Sequence, residues 1–471
     1  MFVPGLNEIP WAPGHRPLVG HLSLLRLGIP TALERVQQAE PLSRVRLGPV
    51  TVYAVNDAAL AHEVLVTKAD AFTKGRQGRG LRSATGSGML TLEGAPHEER
   101  RKLVQPAFSR QRVSAFAPTV RELALDCARS WPLDTDVHVD ERMIHLAGQL
   151  ACRTLFDYKG AEDFHEVSRM IASLSHGIFL RGLLPAWYSV LPTPERRRYR
   201  HLIAWTRKAL EAMYAQAEPT DTTRSLLTQL KLARQPNPTS APLTHKDVID
   251  EMATFWYASM STTASALCWT WLVLADHPDV EAAVHQEADA AFADGTTVPE
   301  NIPEALPYTS RVVAEVLRLH PPAPLLVRES RRTVELGGYT LPPGTTVALN
   351  IQAMHREPTV YPDPHTFAPD RWLPENAKAI PRHAYLPYGA GAHRCTGASL
   401  AGMGTPVAVA AIASRIRILP VTPRQPVRTM LAATSRPHKL RMTAEPRLRT
   451  TASVPAVPAR AVDAATTGGA A

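Results

Sequence analysis

One cysteine of the sequence stands in a run of glycines. Cys395 lies within Tyr385–Gly404, YLPYGAGAHRCTGASLAGMG, and Gly389, Gly391 and Gly397 surround it. Glycine permits backbone conformations and close approaches that a side chain would block. The cysteine also precedes a predicted helix, whose first N–H groups and positive dipole end stabilise a thiolate. A lone cysteine is more often a small buried hydrophobe, but this setting favours an anionic sulfur.

Three kinds of site use a thiolate. His393 and Cys395 supply two ligands for zinc, but a structural zinc site needs four, and the sequence has no second Cys/His pair at a suitable spacing. A nucleophilic cysteine needs a base and an oxyanion hole, which the glycines do not specify. A single thiolate with an open face suits heme, with the sulfur as axial ligand. We therefore interpret Cys395 as a ligand to heme iron.

The segment Tyr388–Gly397, YGAGAHRCTG, resembles the heme-binding loop FxxGxxxCxG of the cytochrome P-450 family. Tyr388 takes the place of the usual phenylalanine, so the aromatic ring is kept and a hydroxyl is added. The resemblance extends over roughly residues 8–445. It implies heme b (iron protoporphyrin IX) as cofactor, Cys395 as the metal ligand, and Gly389, Gly391 and Gly397 in the loop that lies against the heme.

Two further segments carry the resemblance. Glu315–Arg318, EVLR, resembles the ExxR motif on a helix ended by Pro321–Pro322, and Phe367–Trp372, FAPDRW, resembles FxPxRW. Glu-x-x-Arg alone is a weak signal, so the order and intervals of the motifs supply the specificity. The same spacing occurs at Glu98–Arg101, Glu195–Arg198 and Glu329–Arg332. The resemblance implies a buried network of Glu315, Arg318 and Arg371 that fixes the cysteine loop.

The resemblance also implies the fold: a mainly α cytochrome P-450 fold, with a large helical domain, a long central helix over the heme and a small β-rich region. Apolar periodicity predicts the long helix over Thr244–Asp276, which ends at a His-Pro step. Other helices are predicted at residues 30–40, 57–72, 97–107, 111–131, 139–156, 163–177, 195–216, 223–233 and 398–416.

Alternating apolar runs at residues 333–341 and 345–350 predict strands, and residues 75–88 predict a glycine-rich loop. We expect one heme domain over residues 1–445 and a disordered tail over residues 446–471, because the last residues are mostly Ala, Thr, Val, Pro and Gly.

The composition is that of an ordinary globular protein. The 471 residues are 45% hydrophobic and 20% charged, and no apolar stretch is long enough for a membrane anchor. The four cysteines form no CxxC, which favours a reducing compartment and a cytoplasmic location. The net charge of +9 is scattered among acids without a nucleic-acid-binding motif, so it indicates a basic face for an acidic protein.

The resemblance implies that cationic side chains hold the two heme propionates. The matching positions are His97, Arg101, Arg328 and His393. An arginine fork binds a carboxylate in a bidentate manner, and His97 and Arg101 are four residues apart, hence on one helical face. The alternative for that pair is a solvated basic start of a helix.

Within the long helix, FWYASMSTTASALCW aligns with the oxygen-binding segment of the family. Ala258 and Thr262 take its small-residue and alcohol positions, whereas Ser259 replaces the usual glycine and Ser261 the usual acid. A serine cannot replace a carboxylate that relays protons to dioxygen. Three explanations for the missing acid remain open. Thr262, Ser259 and water suffice for proton delivery, or a substrate hydroxyl completes the relay. Alternatively, the enzyme carries out peroxide-driven oxidation, oxidative coupling or rearrangement. A benign helix variation, with serine bonded to a backbone carbonyl, also fits.

The sequence indicates the chemical class of the substrate less specifically than it indicates the cofactor. An apolar pocket wall favours a hydrophobic small molecule, and a terpenoid or polyketide-like natural product fits the family. Lys74–Leu90 resembles the variable lid of the family, which we expect to be mobile. The candidate pocket residues are Phe255, Trp256, Met260, Leu325, Leu326 and Leu431.

The predicted function is heme-thiolate monooxygenation. Electrons are expected from NAD(P)H through a separate ferredoxin reductase and ferredoxin, because the sequence has no GxGxxG unit and no iron–sulfur cysteine set. The alternatives are a heme-thiolate enzyme with atypical chemistry and a non-catalytic heme sensor. Candidates for a ferredoxin docking face are Arg100, Lys102, Arg110 and Arg394.

Overall fold

The computed structural model describes residues 5–17, 19–27, 29–38, 40–160, 174–179, 181, 193–217, 225–234, 242–292, 302–421, 427–429 and 434–447. Helices dominate this part of the chain, as predicted. They are α1 (Ile29–Gln37), α2 (Ala58–His62), α3 (Gly75–Thr85), α4 (Gly94–Val104), α5 (Arg110–Ser114), α6 (Ala117–Arg129), α7 (Val139–Leu155), α8 (Pro194–Gln216), α9 (Leu226–Leu232), α10 (His245–Asp276), α11 (Pro278–Ala291), α12 (Ile302–Ala305), α13 (Pro307–Leu319), α14 (Ile351–Met354), α15 (Pro374–Ala377) and α16 (Ala398–Ala413). Residues 174–179 are also helical, whereas the rest of the predicted helix 163–177 lies outside the described residues.

The long helix α10 forms where the sequence predicts it. The Thr244 hydroxyl accepts a hydrogen bond from the Asp247 amide at 3.2 Å, and the Asp247 carboxylate accepts one from the Thr244 amide at 2.9 Å. This capping box satisfies the first free N–H groups of the helix. The helix ends at His277, because Pro278 cannot continue the hydrogen-bond ladder. It packs mainly against α7, and both lie in the largest hydrophobic core.

The strands form a small β region beside the helices. A five-stranded sheet has the order β1-β2-β8-β5-β3, in which β2 and β8 are parallel and the other pairs are antiparallel. The strands are β1 (Leu42–Leu47), β2 (Val50–Val55), β3 (Phe72–Thr73), β4 (Asp136–His138), β5 (Leu325–Ser330), β6 (Val334–Leu336), β7 (Tyr339–Leu341), β8 (Thr346–Asn350), β9 (Ile416–Pro420), β10 (Arg428–Thr429), β11 (Pro437–His438) and β12 (Arg441–Pro446).

The strands predicted at 333–341 and 345–350 are confirmed. The first is the hairpin β6–β7, which turns at Gly337 and Gly338, both with positive φ. The hairpin β1–β2 was not predicted, although its alternating apolar residues around Gly48 carry the usual signal. The predicted helix 57–72 is interrupted: α2 is followed by a π-helical turn, Glu63–Thr67, and a 3-10 turn, Ala69–Ala71.

The prediction of a glycine-rich loop at residues 75–88, part of the expected mobile lid, is wrong for its first eleven residues, which form α3. Gly78 and Gly80 are buried within this helix, and Leu81 and Ala84 lie in the core. Small residues let the helix pack closely against β5, where a side chain at Gly75 would clash with Glu329. Packing therefore outweighs the low helix propensity of glycine. The helix ends at Gly86, which has a φ of +74°.

The C-terminal part closes a second sheet of order β4-β12-β9. The helix predicted to reach Ile416 ends at Ala413, and Ile416 begins β9. Arg447 forms an ion pair with Asp289, so the ordered chain extends two residues past the predicted boundary at 445. The tail predicted over residues 446–471 otherwise lies outside the described residues. No helix among the described residues combines the length and apolar character that crossing a bilayer requires.

Candidate active site

The cysteine loop has a tightly fixed backbone. Gly389 and Gly391 have φ values of +66° and +69°, which side chains rarely adopt. A Cβ atom on Gly391 would clash with the carbonyl oxygen of Leu65, so glycine is required there for space as well. The Cys395 amide donates to the Tyr388 carbonyl at 2.9 Å, which closes the loop before α16 begins.

The thiol faces a recess rather than bulk solvent. Cys395 is accessible to solvent, yet burial is the largest influence on its thiol and raises its pKa. The Gly397 amide, Arg101 and Arg394 act in the opposite direction and favour the thiolate. The start of α16 therefore stabilises the Cys395 thiolate, as predicted. In the protein alone, however, the desolvation of the sulfur is the larger effect and favours the neutral thiol. A bound cation at the sulfur reverses this balance.

Basic side chains gather beside the loop, and we call the group of Lys74, His97, Arg328 and His393 the cation cluster. The His97 Nε2 and His393 Nδ1 atoms are 3.2 Å apart, and the two rings are in contact. Burial comes first in lowering the pKa of His97 to about 4 and that of His393 to about 3, and the Lys74 charge acts on both. The positive charge of Arg328 also lowers the pKa of His393 and of Lys74. The two histidines are therefore neutral near pH 7 in the protein alone, and a ligand with two carboxylates would favour their protonated forms and pair with Lys74 and Arg328.

Lys74 also belongs to this cation cluster, although the sequence did not identify it as a partner of the heme propionates. It is 8% exposed, and its Nζ donates to the carbonyls of Met89 and Leu92 at 3.1 and 2.7 Å. Burial, followed by the Arg328 charge, lowers its pKa to about 7. The sequence offers only a weak signal, because Lys74 follows the short strand β3 in a segment that looks like a loop.

Arg101 contacts the loop itself. Its Nη1 donates to the carbonyl oxygens of Ala392 and Arg394 at 2.9 and 2.7 Å, on either side of His393. Arg328 donates to the neighbouring Val327 carbonyl at 2.8 Å. The structure thus brings all four predicted propionate partners to the cysteine loop or to the cation cluster beside it, and gives Arg101 a second task in holding the loop.

The middle of α10 is open on one side only. Every residue from Val248 to Leu274 is buried except Ala258, Ser259, Thr262 and Thr263. The Thr262 hydroxyl donates to the Ala258 carbonyl at 2.7 Å, and the Ser259 hydroxyl to the Trp256 carbonyl at 3.1 Å. Phe108 links this helix to the thiol: its ring stacks on Phe255, and it lies 3.9 Å from where a Cβ atom of Gly397 would stand.

Ser261 does not share the open side of α10. It is 4% exposed, and its hydroxyl oxygen lies 2.6 Å from that of Thr434. Residues one position apart on a helix point about 100° from each other, which separates Ser261 from Thr262. The serine that replaces the expected acid therefore tethers the segment before β11 instead of joining Ala258, Ser259 and Thr262.

The Glu315–Arg318–Arg371 network is present and larger than predicted. Glu315 and Arg318 are fully buried and form a bidentate pair at 2.7 and 2.8 Å. Arg371 Nε lies 3.4 Å from Glu315 Oε1, and the Trp372 indole donates to Oε2 at 2.9 Å. Arg318 also donates to the His355 carbonyl at 2.9 Å.

His355 carries the network to the cysteine loop. It is fully buried, and its Nε2 accepts the Leu386 amide at 2.8 Å, two residues before Tyr388. The Tyr385 hydroxyl donates to the Ala314 carbonyl at 2.9 Å, a second link to α13. The sequence did not identify His355, because it lies far from every motif.

These features fit a planar iron porphyrin: a recessed thiol, a cationic group for two carboxylates, and a helix side with small and hydroxyl residues. The sequence model of the cytochrome P-450 family matches residues 10–442.

The chain belongs to the cytochrome P-450 family.

Relatives of this cytochrome P-450 cover nearly its whole length. Cyclooctat-9-en-7-ol 5-monooxygenase from Streptomyces melanosporofaciens is 35% identical, over 88% of this chain and 91% of the relative. Cyclooctatin synthase from the same organism is 32% identical, over 93% and 95%. Pentalenene oxygenase from Streptomyces avermitilis is 29% identical, over 92% and 96%. The protein is thus an oxidoreductase whose relatives are named as oxygenases.

The predicted pocket residues of this cytochrome P-450 divide into three groups. Leu325 and Leu326 are half-buried, and Leu326 lies 3.7 Å from where a Cβ atom of Gly389 would stand, beside the cysteine loop. Phe255 and Met260 are buried in the core, and Trp256 lines a small cavity with Thr85 and Ile203. Leu431 lies outside the described residues.

Among the predicted docking residues, Lys102, Arg110 and Arg394 are exposed. Arg100 does not fit the prediction of a docking role. Its side chain is 11% exposed, and its guanidinium binds the buried Glu251 of α10 at 2.8 Å. This ion pair joins α4 to α10 and leaves little of Arg100 for a partner protein.

Proposed function

We propose that this cytochrome P-450 is a heme-thiolate monooxygenase that hydroxylates a terpenoid. The observation that supports it most is the accessible Cys395 thiol, whose loop Phe108 joins to α10 one turn before the partly open Ala258 and Ser259. The relatives named for cyclooctat-9-en-7-ol, cyclooctatin and pentalenene support the substrate class. The half-buried Leu325 and Leu326 beside the loop give that class an apolar wall.

The residues have separate tasks in this proposal. Cys395 would bind the iron of heme b, and Lys74, His97, Arg101, Arg328 and His393 would hold its two carboxylates. With a thiolate ligand, the cofactor supplies dioxygen activation, because electron donation from sulfur favours O–O cleavage. Arg101 keeps the loop in place, since it binds the carbonyls on both sides of His393.

The test of this function is a turnover assay with defined compounds. Cyclic terpenes and terpene alcohols, macrolide-type polyketides and fatty acids are titrated into the protein, and heme absorption reports displacement of the iron's water. Bound compounds are then incubated with a reductant system, and products are analysed by mass spectrometry. Terpenoid products that gain one oxygen atom are expected. Binding and oxidation confined to polyketides or fatty acids would contradict the substrate class.

Thr262 is expected to control how reducing equivalents are used. Its hydroxyl bonds the Ala258 carbonyl at 2.7 Å, and it is half-exposed on the open side of α10, where a proton is needed. Thr262→Val keeps the shape, so product formed per NAD(P)H should fall at least about tenfold, less than the roughly 10²–10⁴-fold of a positioned proton donor. The matched variant Thr270→Val removes a buried hydroxyl of the same helix, bonded in the same way to Ala266, and should keep coupling. Equal coupling in both variants would contradict this role.

The electrons of the proposed reaction come from NAD(P)H through a ferredoxin reductase and an acidic ferredoxin. Lys102, Arg110 and Arg394 are exposed, Arg394 precedes Cys395 and Lys102 follows the loop-binding Arg101, so these residues supply positive charge for docking. Lys102→Glu should raise the KM for an acidic ferredoxin several-fold at low salt. The difference should shrink at high salt, because screening weakens attraction between exposed charges. Arg198→Glu, an exposed arginine of α8, is the control. An equal effect of the two variants would refute the assigned face.

One observation favours a second candidate, peroxide-driven oxidation. Ser261, at the position of the usual acid, bonds Thr434 and lies away from Thr262. Peroxide supplies both oxygen and electrons, so it removes the need for a reductant and lessens the need for relayed protons. Turnover with peroxide that exceeds turnover with ferredoxin and NAD(P)H would favour this candidate over the first.

A further inference from the structure

A buried carboxyl lies on the same side of α10 as Thr262. Glu251 precedes Thr262 by three helical turns, about 16 Å along the axis, and the two positions lie within about 20° of each other around it. Ala258 stands between them on the same stripe. The Glu251 side chain is fully buried, which is rare for glutamate unless a function or a partner retains it.

Two polar atoms in adjacent turns of α10 have no hydrogen-bond partner in the part of the chain that the structure describes. Glu251 Oε1 accepts from Arg100 at 2.8 Å, whereas Oε2 is buried and makes no well-aligned hydrogen bond, although the Met89 amide lies close enough to stabilise the carboxylate. The Thr254 hydroxyl, one turn further, is also buried and unbonded. Unbonded buried polar atoms also occur at Trp256 and Trp271 of α10, but Glu251 and Thr254 are one turn apart on the helix, so a single polar species can bridge them. Water has the size and both hydrogen-bonding roles that such a bridge needs.

Charged groups from several elements surround Glu251. Arg100 of α4 binds it, Asp247 and Asp250 flank it on α10, and Lys74 lies within electrostatic reach. The Asp250 carboxylate accepts hydrogen bonds from Lys246, Arg207 and the Ser87 amide, which compensate its negative charge. Burial is the largest influence on Glu251 and raises its pKa to about 7, whereas Arg100 and the Met89 amide act to lower it. A carboxyl with this pKa both releases and regains a proton at neutral pH.

We propose that Glu251 is the proton source for oxygen activation, and that the hydroxyls of Thr254 and Thr262 pass its proton along α10 through intervening waters. This inference rests on the proposed monooxygenase function. One turnover converts R–H, O₂, two electrons and two protons into R–OH and H₂O, with the electrons from NAD(P)H through the separate donor proteins. For each of the two protons, the Glu251 carboxyl loses one to the hydroxyl path and regains one from solvent beside the 11% exposed Arg100.

The test is Glu251→Gln, which keeps the shape and one hydrogen-bond acceptor but cannot release a proton in this range. Product formed per NAD(P)H should fall at least about tenfold. The solvent deuterium isotope effect on product formation should increase, whereas the carbon monoxide spectrum and substrate-induced spectral shift stay as in the wild type. Asp140→Asn, which alters a buried carboxyl that binds the Lys439 and Leu440 amides, is the control and should keep coupling.

The pH profile gives a readout that a purely structural Glu251 would not change. The proton-donating form prevails below the pKa of about 7, so wild-type coupling should fall as the pH rises through that value. Glu251→Gln should be poorly coupled at every pH, and Glu251→Asp should restore part of the coupling. Wild-type coupling in Glu251→Gln would overturn the inference.

If Glu251→Gln does not fold, Thr254→Val decides the question. Loss of coupling in that variant supports the relay, and full coupling overturns it. A wild-type protein that binds heme through thiolate but oxidises no substrate would instead overturn the proposed function, and this inference with it. Failure of the relay and failure of the monooxygenase function are therefore distinguishable. If only the relay is wrong, the wild-type protein still oxidises its substrate.

Discussion

Cys395→Ala is expected to reduce monooxygenase activity to the background level. The variant removes the proposed iron ligand, while alanine fits the space because the thiol faces a recess. Heme that still binds through the cation cluster would lack thiolate donation, so dioxygen cleavage is no longer favoured. The measurements are product formation and the absorption spectrum of the reduced protein with carbon monoxide. The band of thiolate-ligated heme should disappear completely.

Cys127→Ala provides the matched control for this prediction. Cys127 is a buried thiol of α6 in the large core, away from the cysteine loop. Loss of its sulfur leaves a small cavity and should lower stability by about 1 kcal/mol, while the spectrum and activity stay as in the wild type. Retention of the thiolate-type band in Cys395→Ala would refute the assignment of the ligand.

Glu315→Ala should prevent assembly of a stable heme protein. The substitution leaves the fully buried Arg318 without its bidentate partner, and it removes acceptors from Arg371 and the Trp372 indole. Breaking a buried pair costs about 3–5 kcal/mol, a large part of the roughly 5–15 kcal/mol that stabilises a typical domain. Denaturant unfolding and heme content per polypeptide measure the effect. We expect aggregated or heme-deficient protein.

Glu195→Ala tests whether Glu-x-x-Arg spacing alone matters. Glu195 lies in the first turn of α8, is exposed and has Arg198 three residues later, the same spacing as in the buried pair. A surface substitution of this kind should change stability by no more than about 0.5 kcal/mol. Normal heme content and stability in Glu315→Ala, matching this control, would contradict the importance of the buried network.

Features set by short-range sequence patterns were predicted well. The long helix over Thr244–Asp276 and its end at Pro278 follow from local periodicity and from the chemistry of proline. The cysteine loop and the Glu315–Arg318 pair have fixed spacings, because each depends on one turn of helix or one tight loop. The strands β6 and β7 were predicted for the same reason, since glycines mark their turn.

Features that depend on contacts between distant segments were not predicted. Glycine content indicated a loop at residues 75–88, but close packing against β5 stabilises α3, and nothing local reveals that neighbour. Arg100 reads as a surface charge until α4 is placed beside Glu251, 151 residues further along the chain. The direction of Ser261 depends on the position of Thr434 in the same way.

The replacement of the usual acid by Ser261 therefore has a structural explanation. Ser261 bonds Thr434, and one turn later Ser265 and then Trp269 donate to the Ser435 carbonyl. This row of hydrogen bonds holds the C-terminal segment against α10. A carboxylate at Ser261 would bring a buried charge to this contact at a high desolvation cost. Ser261 thus serves the tether, whereas Glu251 and Thr262, which lie within about 20° of each other around α10, are left for the proposed relay.

The most direct test of thiolate-bound heme is the spectrum of the purified wild-type protein, reconstituted with hemin, reduced and exposed to carbon monoxide. We predict the long-wavelength absorption band that sulfur ligation gives, at close to one heme per chain. A protein that stays colourless with hemin, or whose carbon monoxide complex absorbs like heme bound by a neutral histidine, would contradict the assignment of Cys395.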